Sequence, residues 1–322
     1  MPTLSEFPPL LARLFAVMFG LAWGSFLNVV IYRVPRGASV VRPASHCPGC
    51  GKPIRAWDNV PLLSWLVLRG RARCCGVRIS PRYFFVELLG GMIALAIVEA
   101  VVLQLPPDTP IALAGAVFVA DFALALGLIA ASFIDLEHMY IPDSISYGAA
   151  VLGILTVPLR PPLSWLDALG AGAAAFLLVW LVFGLLYRVL RGRTGMGLGD
   201  AKLLMVAGAW FGWSGIVFVL LAGAVQGTIV AATLLLVRGR IEEPEAVRRE
   251  REETLARIAA IEDPQEREAA EEEAARDPIF EPTEGVGQTR IAFGPFLALA
   301  TIEYLLFGKL LLEGTLQWLV PG

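Results

Sequence analysis

Two aspartates at the ends of apolar segments are the residues of this sequence best suited to chemistry. Asp135 ends the apolar run 122–134, and Asp200 follows the glycine-rich stretch 195–199. Ionisable groups at a membrane boundary cost free energy and are candidates for a functional site. When two carboxylates share a site they repel each other, so one can hold a proton near neutral pH while the other is ionised. If the fold brings Asp135 and Asp200 together, the pair predicts aspartyl proteolysis.

Such a pair needs neither a metal nor a covalent nucleophile. The ionised carboxylate can take a proton from water, and the protonated one can polarise a peptide carbonyl. The chain contains only two histidines, His46 and His138, and neither a GxSxG nor an HExxH pattern. The alternative interpretation is that both aspartates only cap helices, because aspartate is favoured at helix N-caps.

Several motifs, in order along the chain, resemble those of the type IV prepilin peptidases, which are intramembrane aspartyl proteases with a GxGD signature. The resemblance covers nearly the whole chain except a charged stretch after Val237. It is carried by Gly24-Ser25-Phe26-Leu27-Asn28-Val29-Val30-Ile31-Tyr32-Arg33-Val34-Pro35, Cys47-Pro48-Gly49-Cys50, Ile141-Pro142-Asp143, Gly197-Leu198-Gly199-Asp200 and Phe293-Gly294-Pro295-Phe296.

The resemblance implies an endopeptidase with Asp135 and Asp200 as catalytic residues. Its substrates would be type IV prepilins or the pseudopilins of type II secretion, cut on the cytoplasmic side after a glycine and before a hydrophobic, often aromatic, residue. It also implies N-methylation of the new N-terminus with S-adenosylmethionine, an activity associated with the first cytoplasmic loop. Residues 33–82 contain no GxGxxG pattern, so the methyltransferase rests on the resemblance alone.

The composition indicates an all-α polytopic membrane protein, because 57% of the residues are hydrophobic and only 17% are charged. We interpret the first apolar stretch as a retained transmembrane helix, since no basic region precedes it. The hydropathy pattern predicts about eight transmembrane helices, over residues 9–32, 84–105, 111–134, 144–159, 166–187, 200–212, 215–237 and 291–318.

The distribution of basic residues predicts the orientation of these helices. The basic loops 33–82, 188–193 and 238–240 fall on the same side, which the positive-inside rule assigns to the cytoplasm. We therefore expect a multi-pass protein of the bacterial inner membrane, with Asp135 and Asp200 facing the cytoplasm. Because the positive-inside rule already accounts for the basic residues of this loop, we do not expect a nucleic acid as a partner.

These boundaries predict five regions, one of which is a charged insert. Pairs such as Glu245–Arg249 and Glu253–Arg257 have the i,i+4 spacing of a solvated helix. The insert is therefore either a charged helix, in part disordered, or an arm that docks a partner. The regions are 1–32, the first transmembrane helix; 33–82, a cytoplasmic loop with cysteines; 83–237, helices two to seven with both aspartates; 238–290, the charged cytoplasmic insert; and 291–322, the last helix.

Four residues near the aspartates are candidates to support the site. Gly197 and Gly199 allow close backbone approach. Lys202 could favour the ionised form of a neighbouring aspartate or extend to the membrane interface. Asp143 could support the site, or cap the helix that follows Pro142.

Other polar residues in or near the apolar helices have two possible roles. Asp121 is either an ion or proton site within the bilayer or a structural carboxylate that faces the helix bundle, and the second role is favoured. Asn28, Arg33 and Glu87 could hold substrate or the cysteine loop. A proton- or ion-coupled transporter is the rival function, because broken helices near both motifs would suit it too.

The cysteines Cys47, Cys50, Cys74 and Cys75 have a spacing similar to that of a structural zinc site. Related chains carry two CxxC pairs, whereas here Ala72 stands where the third cysteine would be. Adjacent cysteines are awkward ligands for one tetrahedral metal, so His46 could replace Cys74. The alternative is a set of reduced thiols without metal.

Overall fold

The computed structural model describes residues 2–186, 189, 197–238, 244–276 and 291–319. Within these ranges the chain is helical and forms no β-strand, only isolated bridges. Most of the predicted basic loop 188–193 and the end of the insert, 277–290, lie outside the described residues. The long helices are α1 (Pro9–Arg33), α2 (Pro81–Ala100), α3 (Ile111–His138), α4 (Asp143–Leu155), α5 (Trp165–Val179), α6 (Leu198–Arg238), α7 (Glu245–Ala259), α8 (Pro264–Arg276) and α9 (Gly294–Leu319).

Five helical stretches among the described residues are long and apolar enough to cross a membrane. They are Pro9–Arg36, Pro81–Gln104, Ile111–His138, Trp165–Leu186 and Leu198–Val237. Two shorter apolar helices, Asp143–Leu155 and Gly294–Gly308, accompany them. These helices confirm the predicted all-α polytopic membrane fold, whereas the number of eight crossings stays a prediction.

Helix α6 contains a backbone break at Gly212. The helix has 41 residues, which corresponds to roughly 60 Å and is about twice the hydrocarbon thickness of a bilayer. Gly212 has φ +68° and ψ −153°, a conformation that glycine adopts without steric cost. The break falls between the predicted sixth and seventh helices, 200–212 and 215–237, so the sequence placed their boundary correctly.

The chain divides into two compact units. The first comprises Met1–Ala130, Val151–Trp165 and Ile302–Gly322, and the second comprises Ala131–Ala150 and Leu166–Thr301. The cysteine loop belongs to the first unit. Both candidate aspartates belong to the second.

Small residues allow α1 and α2 to approach closely in the first unit. A Cβ placed on Gly20 would lie 2.3 Å from the carbonyl oxygen of Gly90, and one on Gly24 would lie 2.8 Å from the Cα of Glu87. Membrane helices commonly use small residues in this way, because packing rather than water exclusion drives their association.

Asp121 lies within the first unit and is almost fully buried. Arg160 supplies a nearby positive charge, and its guanidinium also donates to the hydroxyl of Thr156 at 2.9 Å. The two possible roles of Asp121, an ion or proton site and a structural carboxylate, therefore both stay predictions.

The charged insert forms two helices, α7 and α8, as its i,i+4 spacing predicts. The pairing differs from the expected one, because the described ion pair joins Arg249 to Glu253 at 3.8 Å. Arg257 instead donates to the hydroxyl of Thr254 at 3.0 Å. Both pairing schemes fit a helix, because each residue has neighbours one turn before and one turn after it.

Candidate active site

The structure brings Asp135 and Asp200 together within the second unit. Asp135 lies near the end of α3 and Asp200 in the first turn of α6, and their side chains are close enough to interact electrostatically. Only 6% of Asp135 and 8% of Asp200 are exposed. Two buried carboxylates at such close range do not both ionise easily, so the arrangement suits a pair that shares one proton.

Backbone groups at the start of α6 orient the Asp200 carboxylate. The N–H of Gly197 donates to Oδ2 of Asp200 at 3.2 Å, and the N–H of Asp200 donates to the carbonyl of Gly197 at 3.1 Å. The first N–H groups of a helix have no partner within the helix, so an acidic side chain in the first turn satisfies one of them. These two hydrogen bonds to Gly197, the first residue of the motif Gly197-Leu198-Gly199-Asp200, fix the orientation of the Asp200 side chain.

The start of α9 orients the Asp135 carboxylate in a similar way. The backbone N–H of Gly294 hydrogen-bonds to the Asp135 carboxylate. A Cβ placed on Gly294 would lie 2.6 Å from Oδ2 of Asp135. Only a residue without a side chain allows this approach, and a helix N-terminus is a favourable neighbour for a carboxylate.

Ile141 fills the space between the two glycines beside the aspartates. It is buried, and its side chain would lie 3.1 Å from a Cβ on Gly199 and 2.8 Å from one on Gly294. The absence of a side chain at Gly199 leaves room for Ile141, whereas a role of Gly199 in the function of the site stays a prediction. Ile141 and Gly294 were not singled out from the sequence as site residues, although both occur in quoted motifs.

Lys202 pairs with Asp143 rather than with either aspartate of the central pair. Its Nζ also lies 5.4 Å from the ring centroid of Tyr147, a cation–π distance. Of the two sequence interpretations of Lys202, a role beside a neighbouring aspartate fits this contact, and that aspartate is Asp143. The expected N-cap role of Asp143 is wrong, since α4 begins at Asp143 and Pro142 occupies the position before it.

The Lys202–Asp143 pair connects the start of α4, which follows Ile141, to the start of α6, which contains Asp200. The Lys202 side chain is 13% exposed and the Asp143 side chain is 66% exposed. A second contact between the helices is the hydrogen bond from the indole N–H of Trp210 to the carbonyl of Ala149, at 2.8 Å. These contacts between α4 and α6 fix the positions of Ile141 and Asp200 relative to each other.

In the first unit, the cysteines lie on two turns with the same hydrogen-bond pattern. In each of the turns 47–52 and 72–77, the N–H of the first residue donates to the carbonyl of the last, at 2.8 Å and 2.9 Å. The fifth residue of each turn is a glycine in the left-handed region, Gly51 at φ +69° and Gly76 at φ +71°. Ala72 therefore occupies in the second turn the position that Cys47 occupies in the first.

Four sulfur atoms converge between these turns despite the alanine. The Sγ atoms of Cys47, Cys50, Cys74 and Cys75 all lie within 4.8 Å of one another. The Cys47–Cys75 distance is 3.5 Å and the Cys50–Cys74 distance is 3.3 Å. Adjacent cysteines are thus compatible with a single cluster. No histidine is needed as the fourth ligand.

Backbone donors favour the thiolate of Cys47. The N–H groups of Gly49 and Cys50 lower the pKa of the Cys47 thiol to about 6. The thiolate is the form of cysteine that binds metals. The cluster is therefore suited to hold a tetrahedral metal ion.

Polar side chains from the membrane helices hold the cysteine loop, which was one of their two expected roles. The Arg33 guanidinium donates to the carbonyls of Ser39 and Pro43, at 2.9 Å and 2.7 Å. The Glu87 carboxylate accepts the N–H of Leu62 at 2.7 Å. These bonds fasten the loop to α1 near its start and to α2 at its middle.

Comparison with known families identifies two matching regions. Residues 18–101 match the model described as Bacterial Peptidase A24 N-terminal domain, and residues 122–232 match the Type IV leader peptidase family. The first region contains the four cysteines and the second contains both aspartates. No solved structure matches the chain significantly.

Individual proteins with the name prepilin leader peptidase/N-methyltransferase are similar over most of the chain. One from Myxococcus xanthus is 38% identical over 244 residues, which cover 74% of this chain and 68% of that protein. One from Stutzerimonas stutzeri is 35% identical over 250 residues, 70% of this chain and 82% of that protein. One from Neisseria gonorrhoeae is 34% identical over 270 residues, 74% of this chain and 88% of that protein.

Proposed function

Because the chain belongs to the type IV leader peptidase family, we propose that it is a membrane aspartyl endopeptidase for type IV prepilins or type II secretion pseudopilins. The observation that carries the proposal is the buried pair Asp135 and Asp200. It lies within the segment that matches the family of leader peptidases. The alternative of a transporter finds no support among the relatives.

The two carboxylates divide the work of peptide hydrolysis. The ionised carboxylate takes a proton from a water molecule, whose oxygen then attacks the carbonyl carbon of the scissile bond. The protonated carboxyl group gives its proton to the carbonyl oxygen. When the tetrahedral intermediate collapses, the carbon–nitrogen bond breaks and a carboxyl group protonates the departing amine. Gly197 and Gly294 hold the two side chains in place through their backbone N–H groups.

We propose that the pair faces the cytoplasm at the membrane edge. The support is the concentration of basic residues in the loop 33–82, which the positive-inside rule assigns to the cytoplasm. A substrate with a basic leader in the cytoplasm and an apolar helix in the bilayer would present the bond between leader and helix at this membrane edge. By resemblance, the bond cut follows a glycine.

A cleavage assay tests the proposal directly. The full chain, solubilised in detergent, is incubated with a synthetic prepilin, and mass spectrometry identifies the products. We expect a single cut that separates the basic leader from the apolar segment. Absence of cutting by folded protein with both prepilin and pseudopilin substrates would contradict the proposed function.

The Lys202–Asp143 pair should contribute modestly and asymmetrically. Asp143→Ala leaves a largely buried ammonium group without its partner, whereas Lys202→Met leaves a carboxylate that water can solvate. We expect Asp143→Ala to lower the cleavage rate about fivefold and Lys202→Met less, in line with about 1 kcal/mol for a partly exposed pair. Cleavage rates and thermal unfolding of both variants check this.

Exchange of the two charges is the control for this pair. The double variant Asp143→Lys with Lys202→Asp restores an ion pair of reversed direction and should recover part of the lost rate. A greater loss for Lys202→Met than for Asp143→Ala would show that Lys202 acts on the substrate or the aspartates rather than on Asp143.

We further propose that the protein methylates the amine that cleavage releases. The support is the N-methyltransferase in the names of the relatives. S-adenosylmethionine would supply a methyl group on a sulfonium cation.

For the four cysteines we propose a structural zinc ion. The support is the convergence of their sulfur atoms, since four thiolates with this clustering match the ligand set of structural zinc. The cluster belongs to the first unit and the aspartates belong to the second, and the proposed chemistry of the aspartates needs no metal. Zinc would therefore stabilise the loop rather than cleave the peptide.

Cysteine substitution separates these roles. We expect about one zinc per chain in the purified protein, and its loss in the double variant Cys47→Ser with Cys50→Ser. Since metal binding contributes folding free energy to small loops, this variant should lose stability or N-methylation but keep proteolysis per folded molecule. Metal analysis and the two activity assays measure this.

A relocated thiol is the matched control. Ala72→Cys combined with Cys74→Ser moves one ligand to the position equivalent to Cys47 and should retain the metal. Carefully purified protein without metal would refute the zinc site. Complete loss of peptidase activity in a well-folded Cys47→Ser, Cys50→Ser variant would refute the separation of roles.

A further inference from the structure

A second group of polar side chains lies where α1 and α2 cross, in the first unit. Glu87 of α2 accepts a hydrogen bond from the N–H of Leu62, at 2.7 Å, and the hydroxyl of Ser25 on α1 lies near enough to interact with the same carboxylate. A carboxylate has about four acceptor sites, so these two contacts leave it capacity for another donor. The helices touch here, because a Cβ on Gly24 would lie 2.8 Å from the Cα of Glu87.

Asn28 contributes an unsatisfied acceptor to the same helix crossing. The residue is 2% exposed, and its Nδ2 donates to the carbonyl of Tyr83 at 3.1 Å. Its Oδ1 is buried and has no hydrogen-bond partner among the described residues. Buried polar atoms of this kind are uncommon and call for an explanation, such as a bound group.

The spacing along the helices places Asn28 and Glu87 on the same side of the crossing. Asn28 lies one turn after Gly24 on α1, and Glu87 lies one turn after Tyr83 on α2. Gly24 contacts Glu87, and Asn28 contacts Tyr83. The Asn28 amide and the Glu87 carboxylate therefore lie on adjacent turns of the contact between α1 and α2, which we call the seam.

A strained turn and an aromatic pair border this seam. Leu62 has φ +58° and ψ −49°, and the N–H of Leu63 donates to the carbonyl of Pro61 at 2.6 Å. This is a γ-turn, rare and strained for a residue other than glycine. Glu87 holds it through Leu62. Trp65 lies in the short helix Leu63–Val67 that follows this turn, and Phe84 lies one helical turn before Glu87 on α2; their rings pack in a tilted arrangement with centroids 5.3 Å apart.

We propose that Glu87 and Asn28 bind the α-amino group of the peptide that receives the methyl group, with Trp65 and Phe84 contacting its apolar first side chain. An amino group carries several N–H donors and, when protonated, a positive charge, so it needs acceptors and a nearby anion. The seam offers one carboxylate, one unsatisfied carbonyl oxygen and an aromatic surface. This assignment rests on the proposed methyltransferase activity and gives it an acceptor site.

The carboxylate also accounts for the proton that methylation must remove. The amine nitrogen forms a bond to the methyl carbon while the carbon–sulfur bond of the sulfonium donor breaks, and the electron pair of that bond stays on sulfur. The amine loses one proton before or during this step, and Glu87 accepts it. The products are a methylated amine, a neutral thioether and a protonated carboxyl group that water can deprotonate.

The substitution Glu87→Gln tests the assignment with little structural disturbance. The amide oxygen of glutamine still accepts the N–H of Leu62, while the charge and the proton acceptor are lost. The matched control is Glu99→Gln on the same helix, since Glu99 pairs with Arg13 and lies outside the seam. Cleavage and thermal unfolding of both full-length variants report on folding.

Two readouts are measured in detergent. The first is binding of a peptide with a free N-terminal phenylalanine, compared with its N-acetylated form. The second is methyl transfer to the free peptide from S-adenosylmethionine. Wild type and Glu99→Gln should prefer the free amine about tenfold. Glu87→Gln should lose this preference, slow methyl transfer about a hundredfold and cleave normally.

The outcomes distinguish this inference from the proposed function. If Glu87→Gln keeps both the preference for the free amine and methyl transfer, the acceptor site is refuted while the methyltransferase stands. If it loses cleavage and stability as well, Glu87 only supports the loop and the inference is also refuted. If wild type prefers the free amine but transfers no methyl group, the binding site stands and the methyltransferase function fails.

Discussion

Asp135→Asn and Asp200→Asn are each expected to abolish prepilin cleavage while the protein remains folded and inserted in detergent or membrane. Asparagine has nearly the same shape as aspartate but can neither take a proton from water nor give one to the peptide. General acid–base groups contribute about 10²- to 10⁴-fold in rate, and each carboxylate needs the other. The double variant should therefore be no slower than either single variant.

The control for this prediction is Asp121→Asn, which removes another buried carboxylate of α3 far from the pair along the helix. Cleavage rates are compared per folded molecule, with folding measured by thermal unfolding in detergent. We expect Asp121→Asn to affect stability more than catalysis. Near-normal turnover by either Asp135→Asn or Asp200→Asn would show that the pair is not catalytic.

Gly294→Ala should also cause a large loss of cleavage, of about a hundredfold. The added Cβ would lie 2.6 Å from Oδ2 of Asp135 and 2.8 Å from the side chain of Ile141. Both distances are shorter than van der Waals contacts, so the Asp135 carboxylate or the start of α9 must move. Either movement weakens the N–H bond from Gly294 that orients the carboxylate.

Gly148→Ala is the matched control for this substitution. Gly148 lies on α4 in the same unit, and a Cβ there would meet no atom within 4 Å. It should cleave normally, whereas Gly294→Ala should keep an unfolding temperature close to that of wild type but lose turnover. Full activity of Gly294→Ala would contradict the close packing of α9 against Asp135.

The central part of the site could be predicted because its residue types are costly in an apolar environment. Asp135 and Asp200 stand out at the ends of apolar runs, and glycines beside Asp200 indicate close packing. The contact of Gly294 with Asp135 could not be predicted in this way, since it joins residues far apart in sequence. A glycine at the start of an apolar helix has many possible roles, and only the packed structure selects one.

One error, at Asp143, and one question that the sequence left open, the spacing of the cysteines, have equally local causes. The sequence places Asp143 after Pro142 and before a helix, which is typical of an N-cap. The helix begins one residue earlier than expected, at Asp143, and the Asp143 carboxylate instead pairs with Lys202. The cysteines seemed poorly spaced because position 72 lacks a thiol. The missing information was that the two turns are equivalent, which depends on backbone hydrogen bonds rather than on the cysteine count.

The paired turns of the cysteine loop also determine how it would respond to oxidation. The two shortest sulfur–sulfur distances, Cys47 to Cys75 and Cys50 to Cys74, each join one turn to the other. A disulfide between either pair would close the loop over the same stretch of chain that a shared metal ion closes. Oxidation of the metal-free loop would thus replace one crosslink between the turns by another, and the turns would stay together.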